Sequence, residues 1–587
     1  MQNIKYKLAI FLAGVFALFL SSCGGIPTGN TSSNTANPQT VGRPGGSLVY
    51  RVTSPVKTLN YYMADDEPAV VATLFLMNDT LVEMDHASQK YVPALAETYQ
   101  TAADGVTVDV TLREGLKFSD GQPLTTSDVE FSLKGAYDKR TGSRIFRDAL
   151  LINGQEMQTK IIDKRKMQFI LPEKVAAVEN YLENLAVLPK HALNADFEAG
   201  KLGEAWQINA DPKIIISSGP FMVDSVQTGE RVTLKRNPNY WKKDSAGNQL
   251  PYLDAIVLEI VSEANNTFAR LRQGTIDVAD RIRTSDFAAL KTTTESAVKP
   301  HDAGPSLGTD HIWFNLNTAK MGGDSLEATP KYKWFSDKRF RRAVSHAIDR
   351  QTISNTTLQG LATPIFGFVP AGNRAWLNAN LPKTEYDLEK ALGILKEAGF
   401  AQKDAGGKAE LFDGAGNRVE FTMIVPAENE PRKLMAAVIQ EDLAKLGMNV
   451  TVAPVDFQGL TTRWTTSFDY DAILLGSSLT ATDPSGFAGF LTSSGGVHQW
   501  RPKQVKPVTE WEAKIDQLFA RQAQETDPAA RKKTFDEIQT IIAEEMPIVP
   551  IVSRHIVSAA NAKVGNIATS SVLPYSLWNA EWLFVQQ

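Results

Sequence analysis

From Val106 to Leu112 apolar and polar positions alternate, with Val106, Val108, Val110 and Leu112 on one side. A period of two predicts a half-buried strand. The same period recurs at Val419, Phe421, Met423 and Val425, and Val450 and Val452 open another strand. Between these, Leu434, Val438 and Leu446 fall at helical spacing, and Gly447 stops the helix. Strand, helix and strand in that order predict a βαβ unit with parallel strands and a right-handed crossover. A second helix is predicted from Phe340, where Ala343, Val344, Ala347 and Ile348 form one stripe and Ser336 or Asp337 supplies the cap. His346 falls off that stripe and is expected in solvent. Leu388, Ala391, Leu392 and Leu395 predict a third helix, closed by Gly399, and Thr126 or Ser127 caps a fourth that carries Val129 and Leu133.

The run Ala472-Ile473-Leu474-Leu475 is short and unbroken, as in a strand buried on both faces. It stops at Gly476-Ser477-Ser478, a small polar stretch with no period. In open α/β sheets the ligand crevice lies beyond the carboxyl ends of the parallel strands, so the end of this strand is a candidate binding wall.

The N-terminal pattern is different. Lys5 and Lys7 precede an apolar run from Leu8 to Leu20. It is shorter than the roughly 20 residues that span a bilayer, and it fits the apolar part of a secretory signal. The run ends in Leu20-Ser21-Ser22-Cys23-Gly24, which resembles a bacterial lipobox and implies a signal peptide over 1–22 and an acylated Cys23. Residues 23–44 are rich in Gly, Pro, Ser, Thr and Asn, and Arg43 is their one charge. Such a segment predicts a flexible tether reaching about 25 Å.

Composition narrows the function classes. The chain has 587 residues, 43% apolar and 22% charged, enough for two or more domains. With 61 basic and 66 acidic residues the net charge is −5, and no basic surplus points to nucleic acid. Cys23 is the single cysteine, which rules out an internal disulfide. The seven histidines have no metal-binding spacing, and no G-x-S-x-G elbow is present. No cofactor or metal is expected. An envelope hydrolase such as a glycosidase stays open as an alternative, because its two carboxylates can lie on distant segments.

Several motifs occur in a fixed order. Pro93-Ala94-Leu95-Ala96-Glu97, Asp104-Gly105 and the stretch from Leu112 to Ser132 come first. Ser218-Gly219-Pro220-Phe221 leads to Leu234 through Trp241, then Leu271 through Asp277. Phe340 through Arg350, Asp483-Pro484 and Met546 through Pro550 follow. Together they resemble the extracellular solute-binding proteins of family 5, the peptide- and nickel-binding receptors of ABC importers.

That resemblance implies an α/β, two-lobed periplasmic-binding-protein-like fold of the large peptide-binding type. Lobe I would comprise 45–305 and the returning segment 552–587, and lobe II 306–551. Hinges are expected at Ala303-Gly304-Pro305 and Pro550-Ile551-Val552. The implied protein is a monomeric, non-enzymatic receptor on the periplasmic or extracellular side of a membrane, which closes on a peptide or similar polar solute and passes it to a permease in the inner membrane. The cleft candidates are Ser477, Ser478, Thr480 and Asp483 from the strand-end loop, Trp500 as a stacking ring, Asn315 and Asn317 from one strand face, and Tyr61 and Asn78 from lobe I. Peptide-binding relatives often place an acid for the ligand's free amino group at the position that Thr480 occupies. Its absence disfavours simple zwitterionic peptides and leaves blocked or longer peptides, oligosaccharides or metal chelates open.

Overall fold

The computed structural model describes residues 40–293, 297–320, 322–478 and 482–586. The signal peptide, Cys23, most of the tether and Thr480 lie outside the described residues. Among the described residues no helix is long and apolar enough to cross a membrane.

One twelve-stranded sheet runs through the molecule. Along the chain its strands are β1 (Ser47–Val52), β2 (Phe221–Gln227), β3 (Arg231–Arg236), β4 (Ala255–Ile260), β5 (Val278–Asp280) and β6 (Val298–Pro305). They continue as β7 (Gly308–Phe314), β8 (Ala362–Pro364), β9 (Glu420–Pro426), β10 (Asn449–Val455), β11 (Ala472–Ser478) and β12 (Ile548–Asn561). The spatial order is β10-β9-β11-β7-β12-β5-β1-β4-β3-β2, with β6 and β8 also paired to β12. The expected βαβ unit is present: β9 and β10 are parallel, joined by the helix Glu430–Lys445. β11 lies parallel to β9 and antiparallel to β7.

Two large apolar cores flank this sheet. One gathers residues from Leu48 to Leu258 with Val278 and a C-terminal group from Ala560 to Leu583. The other runs from Ile312 to Val552. Strand β12 serves both, since Ile548 to Val552 pack in the second core and Ala560 in the first. The chain therefore passes between cores along β6–β7 and again along β12. Both crossings are irregular: β6 slips against β12 between Asp302 and Pro305, and β7 slips between Asp310 and His311.

Local departures from the sequence pattern have physical causes. On the Glu430–Lys445 helix the buried face is Met435, Ala436, Ile439 and Leu443, while Leu434 is exposed. Spacing alone chose a face slightly rotated from the true one. His346 is buried, not solvated. The segment around Thr384–Asp387 covers that side of its helix (Lys338–Ala347), and His346 Nδ1 lies 2.7 Å from the Glu385 carbonyl. Thr125, one residue before the expected cap, starts the helix Thr126–Tyr137 through a capping box with Asp128.

Candidate functional site

Ser477, near the carboxyl end of β11, borders a cavity. A space of about 840 Å³ lies at the carboxyl end of β11, walled by Ser477, the start of β7, the first residues of the β9–β10 helix, Arg281 to Arg283 beyond β5, and Arg554 to Val557 of β12. It stands against both crossings. Gly476 makes this geometry possible, because a Cβ there would sit 2.1 Å from the Thr309 carbonyl oxygen. Only glycine lets β11 and β7 approach so closely at that point.

The wall is built on polar side chains. Ser477 Oγ and Thr309 Oγ1 are 2.9 Å apart, Thr309 Oγ1 is 2.9 Å from His311 Nδ1, and His311 Nε2 is 2.9 Å from Gln499 Oε1. Burial lowers the His311 pKa to about 4, so the ring is neutral at pH 7 and carries one donor and one acceptor. The chain of hydrogen bonds fixes the Ser477 hydroxyl from behind.

Asp310 is the electrostatic centre. Its carboxylate is nearly inaccessible and accepts from Arg432 Nε at 2.7 Å and from Arg554 Nε at 2.6 Å. Burial would raise its pKa, but the charges of Arg554 and Arg432 and their hydrogen bonds win and hold it below the usual carboxylate range. Two guanidiniums share this one carboxylate, and Glu430, also on this wall, pairs with Lys433 at 2.5 Å. Across the cavity, Arg281 pairs with Glu67 at 2.6 Å and lies 5.2 Å from the centre of the Tyr575 ring. Arg283 pairs with Asp286 at 2.8 Å.

The proposed residues divide sharply. Ser477 lines the cavity, and Ser478 ends β11 opposite Gly308. Asp483 does not present its carboxylate to the cavity; it is buried in a two-pronged pair with Arg531, at 2.7 and 2.8 Å, and caps the turn through Ser485 N–H. Trp500 is no exposed stacking ring: it is fully buried and its Nε1 donates to Glu512 at 2.9 Å. Asn315 and Asn317 sit beyond the far end of β7, where Asn315 Nδ2 donates to the carbonyls of Phe468 and Tyr470 and Asn317 Nδ2 donates to Asn315 Oδ1. Tyr61 is inside the first core, its hydroxyl bonded to the Asn184 carbonyl. Asn78 lines a different, smaller cavity.

Sequence reasoning missed Asp310, Arg432 and Arg554. A signal existed for one of them. Arg432 sits in the first turn of a helix, where the positive end of the dipole disfavours a cation, so a nearby carboxylate was to be sought. The carboxylate comes from 122 positions away, and no local pattern names it.

The two halves also touch directly. Gln89 Nε2 donates to the Gly372 carbonyl at 2.8 Å, Arg374 Nη2 to Ala87 O at 2.7 Å, and Ala176 N–H to Ala523 O at 2.9 Å.

Two apolar cores joined by two irregular strand crossings, with a polar cavity against those crossings, fit a solute-binding protein of the two-lobed class. The chain belongs to the bacterial extracellular solute-binding proteins, family 5, whose middle-region profile matches residues 90–499. It is a binding protein, not an enzyme. It is 29% identical over 553 residues to a probable ABC transporter-binding protein of Deinococcus radiodurans, covering 90% of this chain and 89% of that one. It is 27% identical over 556 residues to the oligopeptide-binding protein AppA of Bacillus subtilis, covering 91% and 90%. The crystal structure of the substrate-binding protein CtaP from Listeria monocytogenes superposes with a TM-score of 0.74 at 23% identity, over 93% of this chain and all of that one. This last likeness speaks to the fold.

Proposed function

We propose that this protein is the lipid-anchored receptor of an ABC importer, taking a peptide or peptide-like polar solute into the cavity beside Ser477 and closing on it by hinge motion. The observation that carries this is the position of the cavity: its wall includes residues from both lobes and from both strand crossings. Its volume falls in the roughly 300–1,000 Å³ range of small-molecule sites. The name of the AppA relative supports a peptide, and the ABC transporter named for the Deinococcus relative supports delivery to a permease. Asp310 is already matched by two guanidiniums, so this wall suits carbonyl and carboxylate groups of a solute better than a free amino group. The lobes would hinge near 303–305 and 550–552, consistent with Gly304 at φ +78° inside one register break and with the second break opposite Pro550–Val552. The lobe boundaries then run 45–305 with 552–587, and 306–551.

Only a solute that touches both lobes has a differential affinity for the closed state, and shifting the balance from 1:99 to 99:1 takes about 5.5 kcal/mol. Contacts to Ser477 and Arg432 from one side and Arg281 from the other would supply part of it. Small-angle scattering is expected to show a smaller radius of gyration with the true solute than without it; an unchanged radius rejects hinge closure. Intact-mass and native mass spectrometry of freshly purified protein test the rest together. The expected result is a chain starting at an acylated Cys23 with a retained solute of peptide-like mass. An unmodified Cys23, or cleavage elsewhere, rejects the anchor, and a retained sugar or chelate rejects the peptide.

A further inference from the structure

Between the strands Val82–Asp85 and Lys90–Pro93 the chain turns through His86, Ala87, Ser88 and Gln89. Asp85 pins the turn. Its side chain accepts from the N–H groups of Ala87 and Ser88 at 2.8 and 2.9 Å, and its carbonyl accepts from Gln89 N–H at 2.7 Å. Gln89 closes the turn at φ +56°, in the left-handed region that favours glycine. A glutamine there is strained, and such strain persists where the surroundings hold the residue for another reason. The hairpin packs in the first core through Val82 and Tyr91.

The side chain supplies that reason. Gln89 is 6% exposed, and its carboxamide reaches a loop of the other half. Nε2 donates to the Gly372 carbonyl at 2.8 Å, and Oε1 accepts from Arg374 N–H at 3.0 Å. One carboxamide therefore pairs with two backbone groups two residues apart, as an adjoining strand would. Arg374 Nη2 returns a hydrogen bond to the Ala87 carbonyl at 2.7 Å. The receiving loop lies between Val369 and Trp376, both packed with the second core.

That loop is itself wedged against a crossing. A Cβ on Gly372 would sit 2.1 Å from the Pro305 carbonyl oxygen and 2.5 Å from that of Ser306, so the loop touches the chain where β6 passes to β7. The next residue, Asn373, is fully buried, and its Nδ2 donates to the Thr482 carbonyl at 2.7 Å. Thr482 lies four residues beyond the end of β11, the strand whose Ser477 lines the solute cavity. Through one short loop, Gln89 bears on both the crossing at 305–306 and the segment that follows the cavity strand.

We propose that Gln89 is a positioning residue for solute capture, a latch that joins the two lobes in the closed arrangement and holds the Gly372–Arg374 loop against the crossing. This rests on the hinge reading above. A hydrogen bond is lost once its atoms part by about 1 Å, so a rotation that separates the two cores breaks all three bonds together. The latch then exists in the closed state alone and favours that state with or without solute. The strained turn is kept because it aims the carboxamide across the gap.

The test compares full-length wild type with Gln89→Gly and Gln89→Glu, each freed of solute by dialysis from urea and checked for native melting by circular dichroism. Gln89→Gly relieves the strained turn while deleting the latch. Gln89→Glu keeps the size and removes the donor to Gly372. Small-angle scattering follows the radius of gyration during titration with a tryptic digest of casein as the peptide source. Because the latch biases one equilibrium, its loss is expected in one of two forms. Either the solute-free radius is larger in both variants, or, where wild type is already open without solute, compaction has its midpoint at about three- to tenfold higher digest concentration. Compaction with the same radii and the same midpoint in wild type and both variants keeps the hinge and overturns the latch. One radius in every sample rejects hinge motion itself, and the latch with it. Should Gln89→Glu fail to fold, Gln89→Gly decides, since a purely local role for Gln89 predicts no change of radius or midpoint on relieving its turn.

Discussion

Replacing Asp483 by alanine is expected to lower the unfolding free energy by about 3 kcal/mol, the lower part of the range for breaking a buried ion pair. The side chains of Asp483 and Arg531 are only 8% and 4% exposed, so water replaces little of what is lost. Arg531 keeps its bonds to Gln522 and its place over the Trp376 ring, which limits the damage. Urea unfolding measures the loss. Solute affinity of the protein that stays folded should change less than twofold. A large drop in affinity at unchanged stability would instead make Asp483 a ligand group. The pH dependence has a definite sign. Burial alone would raise the Asp483 pKa, but the hydrogen bond and charge of Arg531 and the Ser485 N–H bring it below the ordinary value. The pair therefore stabilises the fold fully above the unfolded carboxyl pKa of about 4, and the contribution fades as pH falls through the lower folded value. The Asp483→Ala variant should lose less stability than wild type over that acid range.

The second large effect is expected at Asp310. Asp310→Ala removes the carboxylate that holds Arg432 and Arg554 together. Those arginines are 19% and 30% exposed, so solvent relieves part of the uncompensated charge, and a stability loss of about 2 kcal/mol is expected. The functional loss should be larger. Both guanidiniums belong to the cavity wall, and without Asp310 neither has a fixed position. Calorimetry with the solute that copurifies should show at least a tenfold weaker Kd, while Asp310→Glu, which keeps the charge, should recover part of it. Equal affinity in wild type and Asp310→Ala would place the solute elsewhere.

Asp483, Trp500 and Asn315 show why a strand-end loop can be found from sequence while its side chains cannot be assigned. Each is a residue type that a binding site uses, and each is turned inward by a partner distant in the chain: Arg531, Glu512 and the carbonyls around Phe468–Tyr470. Asp310 is the converse case. In sequence it is one more polar residue at the start of β7, and only the meeting of β7, β12 and the β9–β10 helix makes it a hub. Leu434 is exposed and His346 buried, against the sequence pattern, because a helix face is exposed or covered by whatever packs on it, here the Thr384–Asp387 segment over His346.

Periodicity, turn residues and motif order along the chain determined most strands and helices, the parallel β9–β10 pair and the membership of a binding-protein family, because these depend on residues near one another in sequence; the expected stop at Gly476 fails, since pairing with β7 carries β11 on to Ser478. Which strand serves both cores, which charges neutralise each other and where cavities remain were decided only in the tertiary structure. Those depend on contacts between groups up to hundreds of positions apart, and the energy of a buried charge is set by its neighbours in space, not by its neighbours in the chain.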